Sequence, residues 1–172
     1  MPDATTLAQA FRDAVPLFTR FLDGFDDTNR TTQAPGLANH AAWTLGHVAL
    51  YLHRGAEAFD GLALPETDFI PSELGALDQF GTESVSFGSE PADEPDRYPT
   101  WARCEAVFRA AAERYALAVE RATPEQLSGE VKWGSGTTLG AALAVRHIVH
   151  MSNHTGQLID LRRALGMPRV VG

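Results

Sequence analysis

Six histidines are spread unevenly along this 172-residue chain. His40, His47 and His53 lie in NHAAWTLGHVALYLHR (39–54), and His147, His150 and His154 in HIVHMSNH (147–154). Neutral imidazole is a common metal ligand, and two histidines four residues apart on one helix face can share an ion. His150 and His154 have that spacing. A third ligand must come from another helix, and His47 is the candidate because it shares a face with Trp43 and Leu50. His40 falls in the first turn of that segment, and His53 points about 120° away from His47 at about 100° per residue. A site of His47, His150 and His154 offers three neutral nitrogens and leaves one or more positions open, as catalytic zinc sites do.

The same residues exclude other metal chemistries. HMSNH has no glutamate after its first histidine, so the general base of the HExxH peptidases is missing. No Glu-x-x-His pair supplies a carboxylate di-iron centre. The pattern describes a single ion.

The elements that carry these residues read as helices. Leu143, His147, His150, His154, Leu158, Leu161 and Leu165 form one stripe at about 100° per residue, the core seam of a last helix opening at Thr137 or Thr138 and stopped by Gly166 and Pro168. Three consecutive histidines on a seam need partners, since burying an unpaired polar group costs roughly 1–3 kcal/mol. Capping or bridging neighbours, or solvent at the end of the seam, would account for them without a metal. Leu7, Phe11, Ala14/Val15, Phe18, Leu22 and Phe25 mark a first helix, with a kink or short break expected at Pro16. A second helix is expected from an Asn39 N-cap to about Phe59, and a third from Thr100, carrying Trp101, Cys104, Phe108 and Tyr115. TPEQL (123–127) has the residues of a capping box and predicts a short helical turn. The stretch from Gly61 to Pro99 is rich in Pro, Gly and acids, with at most a short helix around PSELGAL. Its length suits a lid, a binding loop or a partly disordered segment. SGEVKWGSG reads as a loop, and WGSGTTLG lacks the Lys-Ser/Thr of a phosphate-binding loop. The expectation is an all-α, antiparallel four-helix bundle in one domain over residues 1–172.

Composition agrees with a soluble globule: 44% of residues are hydrophobic and 21% charged. The formal charge of −8, with Lys132 the one lysine, argues against nucleic acid as a partner. No stretch reaches the roughly 20 apolar residues of a membrane span, and the start lacks a basic, then apolar, leader. The cytoplasm is the expected compartment, and the single cysteine, Cys104, fits a reducing one. Cys104 reads as inert core and Trp43 as packing beside the site. The acids of the 60–99 loop read as solvated, so no general base is assigned.

NHAAWTLGHVALYLHR (39–54), FGTESVSFGSEPADEPDRYPTWAR (80–103) and HIVHMSNHTGQLIDLRRALGMP (147–168) together resemble the DinB-like helical bundles, which include YfiT-type proteins and related thiol transferases. The likeness covers nearly the whole chain. It implies an up-and-down four-helix bundle with a long loop between helices 2 and 3, often homodimeric, holding a divalent metal through His47, His150 and His154. Zinc or nickel comes first among the metals, iron or manganese next. His147 is not among the family's usual ligands and takes a supporting role. The resemblance further implies a low-molecular-weight thiol as cofactor or nucleophile, and hence an S-transferase acting on small electrophiles. The alternatives are a hydrolase with metal-activated water and a non-catalytic metal-binding stress-response protein.

Overall fold

A computed structural model describes residues 3–170. Among them are five α-helices, α1 (Ala4–Thr19), α2 (Ala41–Asp60), α3 (Trp101–Glu120), α4 (Pro124–Ser128) and α5 (Gly140–Ala164). Two small sheets complete the fold: β1 (Phe69–Ile70) pairs in parallel with β2 (Phe80–Gly81), and β3 (Glu130–Trp133) pairs antiparallel with β4 (Gly136–Leu139). No described helix is long and apolar enough to cross a membrane.

The four long helices pack as a closed circuit. α2 lies against α3 and α5, and α1 against the same two. α1 starts where the Asp3 carboxylate accepts the Thr6 N–H at 2.7 Å. Of the kink or short break expected at Pro16, no break forms: the helix continues to Thr19, and a 3₁₀ turn (Arg20–Leu22) follows. Rings on both sides of the proline hold the helix down: Phe11 packs edge-on to Tyr115 at 4.8 Å, and Phe18 lies 4.9 Å from Phe108. Losing one backbone donor is tolerated when burial fixes the turns on either side.

α2 is buried on nearly every side, as expected of a helix enclosed by its neighbours. Its N-cap is His40 rather than Asn39: the His40 Nδ1 accepts the Trp43 N–H at 3.1 Å. An acceptor Nδ1 places the ring proton on Nε2, which donates to the Ala92 carbonyl at 3.1 Å. The helix ends at Gly61, which adopts φ 70°. The capping box at Thr123 and Gln126 forms as read.

Two stretches depart from the sequence reading. PSELGAL forms no helix; it lies in the bends between β1 and β2. SGEVKWGSG is not a loop but the core of the β3–β4 hairpin, and α5 therefore starts at Gly140 rather than at Thr137 or Thr138. Val131 pairs with Thr138 and Trp133 with Gly136, and Gly134, at φ 59°, makes the two-residue turn between them. Four-residue strands carry too few alternations to stand out against a helix start.

The α4–α5 junction is tight. A Cβ on Gly140 would lie 2.1 Å from the Gln126 carbonyl oxygen, a backbone atom that cannot swing away. Gly156, further along α5, meets nothing within 4 Å. Gly140→Ala is expected to cost about 1–3 kcal/mol, whereas Gly156→Ala gains about 0.5–1 kcal/mol. Urea denaturation measures both, and equal effects of the two changes would refute the packing described for the junction.

Candidate metal centre

His47 projects from the second turn of α2, and His150 and His154 from successive turns of α5. The Nε2 of His150 lies 3.1 Å from the Nε2 of His47 and 3.1 Å from that of His154. The donor atoms of all three rings lie within 4.8 Å of one another. These are the three residues that spacing brings together in the sequence.

The far side of each outer ring fixes its tautomer. The Nδ1 of His47 is 2.8 Å from the Val85 carbonyl, which can only accept, so Nδ1 carries the proton and Nε2 presents a bare lone pair inward. The Nδ1 of His154 faces Gln157 Oε1 at 2.8 Å, and the same oxygen accepts from Asn39 Nδ2 at 2.9 Å. That arrangement again leaves Nε2 free to face the cluster. Second-partner bonds of this kind orient metal-binding histidines generally.

Burial keeps the rings neutral. It is the first cause that pushes His47 down to about 4, with the neighbouring His154 next. It likewise pushes His150 down to about 3, helped by His154 and His47, and lowers His154. Three nitrogens bonded to one cation at about 2.0–2.1 Å in a tetrahedral arrangement stand about 3.3 Å apart. The two 3.1 Å separations lie close to that value.

The other histidines are committed elsewhere. His147 lies on the same stripe, but its Nδ1 faces the Leu143 carbonyl at 3.0 Å and its Nε2 the Tyr51 carbonyl at 2.9 Å. With both nitrogens turned to backbone it bridges α5 to α2, the supporting place expected of it. His40 caps α2. His53, buried near Asp68, takes a 3.2 Å contact from Arg114 on its Nδ1. Cys104 is fully buried and burial raises its thiol pKa, consistent with inert core.

The segment between α2 and α3 is a wall fastened to α2. His40 holds Ala92, Trp43 Nε1 donates to Ser89 Oγ at 3.0 Å, His47 holds Val85, and the Tyr51 hydroxyl accepts the Phe87 N–H at 3.1 Å. Positions 40, 43, 47 and 51 follow one helical face. Trp43 is buried and stacks on His47 at 4.4 Å between centroids.

One side of the cluster opens to a cavity of about 430 Å³ lined by His47, His150, Tyr51, Trp133, Phe87 and Arg146, among others. Among the described residues no carboxylate lines it. Sequence reading missed Tyr51, Trp133 and Arg146 as wall residues. Tyr51 follows His47 by four and Arg146 precedes His150 by four, so a helical-face search around each of these histidines finds both. Trp133 arrives on the hairpin, which the sequence hid.

Helices that bring His47, His150 and His154 together, with His47 and His150 on the wall of a cavity, define a helical protein with a three-histidine cluster of a kind that could hold a metal ion. A model of the DinB superfamily matches residues 7–158, and the chain belongs to that superfamily. A crystal structure of a conserved protein from Enterococcus faecalis is similar to it, with a TM-score of 0.66 and 16% identity, over 95% of this chain and 97% of that one. At that identity the likeness concerns the fold alone. No curated protein matches.

Two α2 histidines outside the cluster give the fold a pH dependence. Burial lowers His40 and His53 to about 4, and Arg114 adds to the effect on His53. Protonating His40 on Nδ1 breaks the cap on Trp43. Both rings bind protons more readily in the unfolded chain, so their contribution is whole above pH 6.5 and is lost as pH falls through about 4. Metal-free protein should show a urea midpoint that falls between pH 7 and pH 5, where ordinary carboxylates are still ionised. His40→Asn, which keeps a capping acceptor, should make the fall shallower. A midpoint that stays level over this range contradicts the neutral assignment.

Proposed function

We propose that His47, His150 and His154 bind one divalent metal and that the protein is a thiol-dependent S-transferase acting on small electrophiles. The observation that carries the reading is the meeting of three Nε2 atoms, two of them fixed as bare lone pairs, beside an open cavity. An ion bound there supplies a Lewis acid that lowers the pKa of a coordinated thiol or water. Zinc or nickel suits an all-imidazole set, with iron or manganese next.

The chain's own residues do the rest. Val85 and Gln157 hold the ligand rings so that no reorganisation is needed when a ligand arrives. Trp133, Tyr51 and Phe87 offer apolar surface to the carbon frame of thiol and electrophile. With no carboxylate in the lining, the thiol proton leaves to solvent through the open mouth. The sulfur then bonds to the electrophilic carbon as the leaving group departs with its electron pair.

Hydrolysis by activated water would use the same open position, but nothing in the lining serves as a general base for it. A purely structural metal would call for a fourth protein ligand, and the cluster among the described residues contains three. The circuit of four long helices supports the reading of an antiparallel four-helix bundle, and a homodimer is proposed from the family resemblance.

Metal analysis of tag-free protein should find about one divalent ion per chain. His47→Ala and His154→Ala should lose it and His147→Asn should keep it. Occupancy unchanged in the alanine variants removes the assignment. Metal-loaded protein should consume an electrophile such as 1-chloro-2,4-dinitrobenzene only when a thiol is present. Equal turnover of activated esters without thiol would transfer the site to hydrolysis.

A further inference from the structure

This acidic protein, with 22 Asp and Glu against 14 Lys and Arg, places no acid among the described residues that line the cavity beside the histidines. It places Arg146 there instead, on α5 one turn before His150. Some arginines elsewhere have carboxylate partners, among them Arg12 with Glu120, Arg103 with Asp68 and Arg114 with Asp60. Arg146 is exposed and makes no hydrogen bond or ion pair among the described residues. What sets Arg146 apart is its place: a guanidinium without a protein partner on the wall of a cavity whose described lining holds no acid is available to an anion. Its planar fork matches a carboxylate bidentately.

The neighbouring surface fits the rest of such a ligand. Phe87 is 87% exposed and Val149 52% exposed, and both line the cavity with Trp133. A ring that open, in a loop whose backbone is fastened to Tyr51, has no packing role of its own. Beyond Tyr51 and Trp133, which wall both spaces, a second cavity of about 470 Å³ carries Arg54 and Lys132 as well as Glu57. Arg54 lies over the Tyr51 ring at 5.3 Å, and neither cation has an ion pair among the described residues. These two charges add to the positive field at the mouth, while Glu57 makes the second cavity the poorer seat for an anion.

We propose that the cavity binds a carboxylate-bearing small molecule, its carboxylate on Arg146, its carbon frame against Trp133, Phe87 and Val149, and its other end toward His150. This rests on the reading of the histidine cluster as the place where a thiol is activated, and it names that thiol's class: a short thiol carboxylate. Arg146 and His150 are separated by one turn, about 6 Å along the helix axis, so the molecule is short. The ordinary attraction of a charge-assisted pair, reduced by the exposure of Arg146, sets the expected effect at about tenfold.

The probes are 3-mercaptopropionate, 3-mercapto-1-propanol and butanoate, titrated calorimetrically into zinc-loaded protein. Wild type should bind 3-mercaptopropionate about tenfold tighter than the alcohol. Arg146→Gln should abolish the difference, added salt should shrink it, and Arg146→Lys should restore part of it. Far-UV circular dichroism checks that the exposed substitutions leave the fold intact. Equal affinity of carboxylate and alcohol in wild type, no binding by either, or a difference that survives Arg146→Gln overturns the proposal. So does a difference that vanishes only in Arg54→Gln or Lys132→Gln, which would seat the anion in the second cavity. If butanoate binds as tightly as 3-mercaptopropionate and is weakened by Arg146→Gln, the carboxylate site stands and the thiol reading falls.

Discussion

The 2.8 Å hydrogen bond from His47 Nδ1 to the Val85 carbonyl joins the loop to the chemistry. A carbonyl cannot donate, so this bond decides which nitrogen of His47 carries the proton and which is left to face His150. Without it the buried ring would be free to present N–H to the cluster in place of a lone pair. The bond also requires Val85 to sit over α2, which depends on the loop backbone and on the helix beneath it. Gly46 permits that approach: a Cβ there would lie 2.5 Å from the Phe80 ring and 2.9 Å from Val85 Cγ1.

The long segment between α2 and α3, whose length and composition suit a lid, a binding loop or a partly disordered segment, packs as a wall on α2. Its order comes from buried residues far apart in sequence. Phe80 and Tyr98 are fully buried, and Phe69 packs on Phe80 at 5.7 Å. Arg30, itself buried, donates from its guanidinium to the carbonyls of Pro99, Pro95 and Asp27. Side chains that satisfy loop carbonyls do for an irregular segment what a ladder does for a sheet.

How far the sequence reveals this protein depends on the range over which its signals act. The long helices are local and periodic, so Phe11 and Phe18 in α1 or Leu143 and Leu158 in α5 announce their faces directly. The histidine cluster is legible for the same reason, because His150 and His154 are four apart and His47 shares a face with Trp43. What stays hidden is decided by partners distant in the chain. His40 in place of Asn39 as the cap of α2 depends on Ala92, over fifty residues away, taking the other ring nitrogen. The hairpin that delivers Trp133 depends on pairing too short to give a period, and Trp133 then meets Tyr51 at 6.1 Å and His147 at 5.0 Å.

Charge distribution links the site to its surroundings. Histidines held neutral by burial bring no charge of their own, so a bound divalent cation would leave the cluster with a net positive charge uncompensated by any lining carboxylate. In a protein carrying −8 overall, that is a local reversal of sign. Positive potential confined to a partly apolar cavity attracts anions from a surface that otherwise repels them. It also stabilises a thiolate relative to a thiol, since the deprotonated form gains the attraction and the protonated form does not. On the proposed function, a lining whose described residues hold no acid would favour capture of an anion and ionisation of its sulfur together, and a carboxylate placed beside His150 would work against both.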